Sequence, residues 1–109
     1  MYVVTTPKHT FTFPVNPVEF KRILITYTQN DEIILEKTEH DLTFEELTEN
    51  GKPVHVAWLQ LSQEETKLFD PELKKFTVQV RALSKYDEAI AGDPHVFSVK
   101  AVLNDEVLQ

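Results

Sequence analysis

Four histidines, three serines and eighteen carboxylates are the side chains of this 109-residue chain most able to do chemistry. A zinc site needs at least two imidazoles brought to one ion, at strand spacing i, i+2 or helix spacing i, i+4. His9, His40, His55 and His95 share no such spacing. His40 lies between Glu39 and Asp41, but consecutive strand residues face opposite ways, so the three would not converge. Serine hydrolysis needs a serine on a G-x-S-x-G elbow or beside a histidine, and Ser62, Ser84 and Ser98 have neither. Glu64 and Glu65 are adjacent. On a helix such neighbours diverge by about 100° and cannot flank one substrate atom. The chain has no cysteine, which excludes disulfides, thiolate nucleophiles and Cys-based metal sites. Its two glycines, Gly51 and Gly92, are too few for a phosphate-cradling loop. The expectation is a protein without catalytic, cofactor-binding or metal-binding residues, and so not an enzyme.

The elements that would carry these residues are mostly strands. His9 to Phe13 alternates polar and aromatic residues and is stopped by Pro14 and Pro17. Phe20 to Gln29 is a longer strand with Ile23, Ile25 and Tyr27 on one face. Asn30-Asp31 reads as a tight turn that pairs Glu32 to Thr38 back as a hairpin. Leu42 to Phe44 alternates briefly, and Asn50-Gly51 is a second strong turn signal before Val54 to Leu61. In that strand Val54, Val56 and Trp58 share one face, while Leu59 and Leu61 are apolar on the other. Either both faces are covered or a bulge near Trp58 shifts the register. Phe76, Val78, Val80 and Ala82 line one face of the cleanest strand, and Ser84 to Glu88 reads as an exposed loop. After Pro94 comes a last strand, His95 to Ala101, with Phe97 and Val99 inward.

One stretch breaks the pattern. LSQEETKLFD, residues 61 to 70, begins with a capping box: Ser62 would hold a free helix N–H, and Glu65 would reach back to Ser62. Glu64 adds first-turn negative charge, and Asp70-Pro71 ends the helix. The carboxylates are therefore structural, and Leu68 and Phe69 are expected to close one end of the fold. The pattern predicts a single domain over residues 1–109: an immunoglobulin-like antiparallel β-sandwich of six to seven strands with one short capped helix at about 62–69. Trp58 is its expected centre, and residues 1–8 and 103–109 are expected to fray.

Charge narrows the partners. Residues 31–50 hold eight acids and one base, which accounts for the whole net charge of −7, and the remainder is balanced. No basic stripe for nucleic acid is present. Apolar runs such as Ile33-Ile34-Leu35 and Val56-Ala57-Trp58-Leu59 reach at most four residues, far short of the ~20 residues of a membrane-spanning helix. MYVVTTPKHT lacks the basic region and apolar core of a signal peptide, so secretion by that route is not expected. The acidic segment reads as a solvated strand edge and as a surface for protein contact. Glu36, Glu39, Glu45 and Glu46 are the candidate contact residues, with Tyr86 in its loop a fifth.

HTFTF near the start, ITYTQN, LEKTEHD, LSQEETKLF, FTVQVRALS and FSVKAVLNDEVL follow one another in an order that resembles small phage and prophage proteins of low-GC Gram-positive bacteria. The resemblance runs from about residue 7 to residue 108 and is carried mainly by LSQEETKLF and VQVR. Similar modules occur as immunoglobulin-like N-terminal domains of phage baseplate proteins. The resemblance implies a non-enzymatic virion or assembly component of the head, neck, tail or baseplate. It would be homo-oligomeric, in contact with other virion proteins, and found in the particle or in the host cytoplasm during assembly. No functional residue carries over, because the shared pattern is made of core and cap positions. A carbohydrate- or cell-surface-binding β-sandwich is the alternative, and an exposed Trp58 would favour it.

Overall fold

Two turns set the hairpins. Asn30 and Asp31 take left-handed backbone angles (φ 51° and 63°), as do Asn50 and Gly51 (φ 51° and 78°). This pair of positive φ values matches the twist of antiparallel strands and closes a two-residue loop. In the computed structural model, which describes Met1–Gln109, they join β2 (Phe20–Gln29) to β3 (Glu32–Thr38) and β4 (Thr43–Glu49) to β5 (Lys52–Gln60). The other elements are β1 (Lys8–Phe13), α1 (Gln63–Lys67), β6 (Lys75–Ser84), β7 (Ala89–Ala91) and β8 (His95–Ser98).

The strands form two antiparallel sheets packed as a sandwich. One has the order β1-β5-β4; the other runs β3-β2-β6, with β7 and β8 end to end along the far side of β6. This is the immunoglobulin order, with β1, β5 and β4 in the places of strands B, E and D, and β3, β2, β6 and β7/β8 in those of C′, C, F and G. There are eight strands rather than six or seven because the last one is split. Pro94 has no N–H to give a ladder, so pairing to β6 lapses there, and Gly92 N–H alone bonds Val80 C=O between β7 and β8.

The core lies between the sheets. Ile23, Ile25 and Tyr27 of β2 and Phe76, Val78 and Ala82 of β6 all point into it, as their alternation predicts. Trp58, the expected centre, does not. Ala57, Leu59 and Leu61 are the inward residues here, at 0–1% exposure, and Trp58 stands on the outer face of the small sheet. There its indole N–H donates to Glu45 Oε1 at 3.2 Å, and the Lys8 ammonium sits over its ring. The ladder of β5 is unbroken on both sides, so no bulge shifts the register. The second apolar row reflects two-sided cover instead, since Val56 on the outer face is also buried.

Helix α1 has the expected box. Ser62 Oγ accepts from Glu65 N–H at 3.1 Å, and Glu65 Oε1 accepts from Ser62 N–H at 2.9 Å. The helix is shorter than 62–69 because Asp70 caps a separate 3-10 turn at Pro71–Leu73. Phe69 is buried and Leu68 is exposed. Neighbouring residues on a helical turn diverge, so only one of the two can close the end of the sandwich.

Both chain ends lie against the sandwich. Val3 and Val4 belong to the core, the Met1 ammonium donates to Ser98 C=O, and Tyr2 bridges Lys100 in parallel. At the other end Leu108 exchanges two hydrogen bonds with the Gln63 amide, and Val107 packs on the core, although Leu103 is fully exposed. No helix is long and apolar enough to cross a membrane.

Candidate functional site

Strand β1 pairs on one side only. Leu61 N–H bonds Pro7 C=O, and Pro7 stands opposite Leu61 when the β1–β5 register is continued by one residue. In an antiparallel ladder this sets the phase, because paired groups alternate along the strand. The odd residues His9, Phe11 and Phe13 therefore bond toward β5. Lys8, Thr10 and Thr12 turn their N–H and C=O groups outward, where no other strand lies. In an immunoglobulin domain strand A covers this edge.

Beside that edge the sandwich gapes. A groove of about 640 Å³ runs between β1 and the β6–β7–β8 side of the large sheet, lined by Phe11, Phe13, Val78, Val80, Ile90 and Phe97 among others. Phe97, expected inward, does face the core side, but at the mouth. It is 51% exposed and stacks on Phe76 at 5.6 Å. His9 also lines the groove, with its ring parallel to that of Phe97 (centroids 6.5 Å apart). Its Nδ1 lies 2.6 Å from the Tyr27 hydroxyl. Burial, and secondarily the Glu65 carboxylate, push the Tyr27 phenol above its ordinary range. A hydroxyl that keeps its proton can donate it to Nδ1 of a neutral imidazole.

The imidazole is held neutral. Burial, with the nearby amino terminus adding to it, pushes His9 below its usual range. The unfolded chain takes up this proton near pH 6.5, and the folded chain only at lower pH. Stability contributed by neutral His9 is thus present above about pH 6.5 and is lost as pH falls through the folded value. His9→Gln, which can still bond the Tyr27 hydroxyl, should lower the melting temperature at neutral pH. It should also shrink the drop between about pH 7.5 and about pH 5. An unchanged drop in thermal melts would exclude His9 as its source.

Two carboxylates titrate below that window. Burial alone would raise Glu65, but Lys37 and the Ser62 N–H and hydroxyl hold it below the usual range. Burial likewise opposes Glu39, which the Ile23 N–H, its own N–H, Arg22 and His40 hold down. Glu65 and Lys37 form an ion pair joining α1 to β3.

The candidate contact residues do not form one surface. Glu36 stands opposite Thr26, on the outer face of β3. Glu39 is tied down: its carboxylate accepts from Ile23 N–H at 3.1 Å and pairs with Arg22 at 3.1 Å. It positions the turn after β3 and is not free for a partner. Glu45 and Glu46 are consecutive on β4 and point to opposite faces, Glu45 beside Trp58 and Glu46 opposite His55. Tyr86 is 80% exposed, in a turn where the Ser84 hydroxyl accepts from the N–H of Tyr86 and of Glu88. Ser62 and Ser84 thus serve the backbone. His9 and His95 share the groove, and His40 is exposed. No group of three or more His, Asp or Glu side chains converges anywhere in the fold.

Sequence reasoning missed the groove, the open edge of β1 and the His9–Tyr27 pair. The available signal was HTFTF itself, an alternating aromatic strand with no charge on it. Neither a protein-family model nor a curated protein matches the chain.

Proposed function

We propose that this protein is a non-enzymatic structural or assembly module that works by protein–protein contact. The setting implied by the sequence resemblance is a phage or prophage particle. The observation that carries the reading is the unpaired edge of β1 beside an exposed apolar groove. Such an edge is a template for an added strand, with backbone hydrogen bonds giving affinity and pockets for alternate side chains giving specificity. The contact surface in this reading is the β1 side rather than the acidic segment. The test is genetic: deletion of the gene from an inducible prophage should stop particle assembly at a defined intermediate, and the intact chain should be found in purified particles. Normal yield and infectivity after deletion would end this reading.

A second reading, a carbohydrate- or cell-surface-binding module, draws on the outward position of Trp58. The Lys8 ammonium lies 4.2 Å from the ring centroid, so one stacking face is already in use. Tryptophan fluorescence titrated with cell-wall oligosaccharides decides: a saturable change favours this reading, and a flat signal removes it.

A further inference from the structure

We infer that the open edge is filled by a second copy of this chain, with β1 pairing antiparallel to β1 of its twin about a two-fold axis through Thr10. This rests on the reading of that edge as a contact surface and names what it contacts.

The phase of β1 permits it. Lys8, Thr10 and Thr12 carry the outward N–H and C=O groups, so a two-fold at Thr10 pairs Thr10 with its equivalent and Lys8 with the twin's Thr12. Each of these positions meets a residue of matching phase, as an isologous contact requires. On the inner face His9 comes beside the twin's Phe11, an aromatic cross-strand pair of the kind that stabilises sheets.

Charge rules out two of the available edges, and the continuous six-residue ladder of β1, unlike the split β7/β8 edge, offers a whole strand to pair. The chain carries a net −7, so two copies repel unless their acidic sides stay apart. Strand β3 carries Glu32 and Glu36, and β4 carries Glu45, Glu46 and Glu49, which guard those edges against self-pairing. β1, β7 and β8 hold no carboxylate. Pairing through β1 brings together sides whose strands carry no carboxylate and leaves both acidic flanks outermost.

Burial supplies the gain. The groove opens beside the same edge, so the two mouths meet across the axis. Phe97 (51% exposed) and Ile90 (46% exposed), half in water on one copy, would be covered there together with Phe11. A strand pair alone is small against the roughly 1,000 Å² of a stable interface, so the mouths must contribute.

The test is sedimentation equilibrium of the intact chain from about 1 μM to about 1 mM, at low and high salt. The wild type should rise from 12.6 kDa toward twice that mass, more readily at high salt, where the repulsion between copies is screened. Thr10→Pro removes an N–H that faces away from β5, which an edge strand tolerates. Thr10→Lys sets two like charges opposite each other. Each should raise the dissociation constant at least about tenfold while leaving the circular dichroism spectrum of the wild type. Leu47→Lys on β4 should change nothing. A wild type that stays monomeric throughout, or Thr10 variants that dimerise like it, would overturn the inference. If the wild type is monomeric and Thr10→Pro still blocks particle assembly, the edge takes a foreign strand: the twin is excluded and the proposed function stands. Normal particles after gene deletion would remove that function whatever the mass.

Discussion

Phe69→Ala should cost about 3–5 kcal/mol, the usual range for emptying a buried phenylalanine site. Phe69 is 2% exposed, meets Tyr27 edge-on at 5.8 Å and lies 5.0 Å from Phe76. It is the residue by which the helical connection enters the core. Only 18 of the 109 residues are buried, so little surrounding structure can collapse into the cavity. A domain of this size holds about 5–15 kcal/mol in total, and a loss of this size removes a large part of it. Urea unfolding checks this. The midpoint should fall sharply with the slope unchanged, while Leu68→Ala, next in sequence but exposed, should stay within about 0.5 kcal/mol. Equal effects at the two positions would contradict the placement of Phe69.

Gln29→Leu should be nearly as damaging, although leucine fills much the same space. Gln29 is 4% exposed at the end of β2, and its amide makes three backbone bonds: it accepts from Asp70 N–H at 2.7 Å and donates to Asp70 C=O at 3.0 Å and Lys75 C=O at 3.1 Å. These bonds tie the segment between α1 and β6 to β2. Leucine leaves the Asp70 N–H and the Lys75 C=O without these partners, while Asp70 C=O keeps only the Leu73 N–H. Each buried unsatisfied group costs about 1–3 kcal/mol, and since the segment can shift toward water the expected loss is about 2–4 kcal/mol. Hydrogen exchange supplies a local readout, because Asp70 N–H should lose protection before the strands do. A variant within about 0.5 kcal/mol of wild type would mean these bonds are replaced at no cost.

The two changes probe opposite kinds of tie on the same connection, one apolar and one polar. That connection crosses from the small sheet to the large one.

Much of the fold was legible locally. Asn30-Asp31 and Asn50-Gly51 specify their turns through backbone angles that few other residues accept. Ser62 and Glu65 specify a helix start through hydrogen bonds four residues long. The alternation of Ile23, Ile25 and Tyr27, and of Phe76, Val78 and Ala82, specifies which residues share a face. These signals act within one element, so the chain carries them whole.

What alternation cannot say is which face another element will cover. In β5 both faces are apolar, and the choice of Leu59 over Trp58 came from where the large sheet packs. In the segment 31–50 the acids are contiguous in sequence, yet a change of sheet between β3 and β4 and the pleat of β4 scatter Glu36, Glu39, Glu45 and Glu46. The edge of β1 is open because no other segment pairs with it, a fact about the whole topology rather than about KHTFTF. His9 and Tyr27 are eighteen residues apart and meet only once both sheets are in place. Periodicity records how a strand is built; partners and exposure are properties of the assembled sandwich, set by burial that no single strand can accomplish alone.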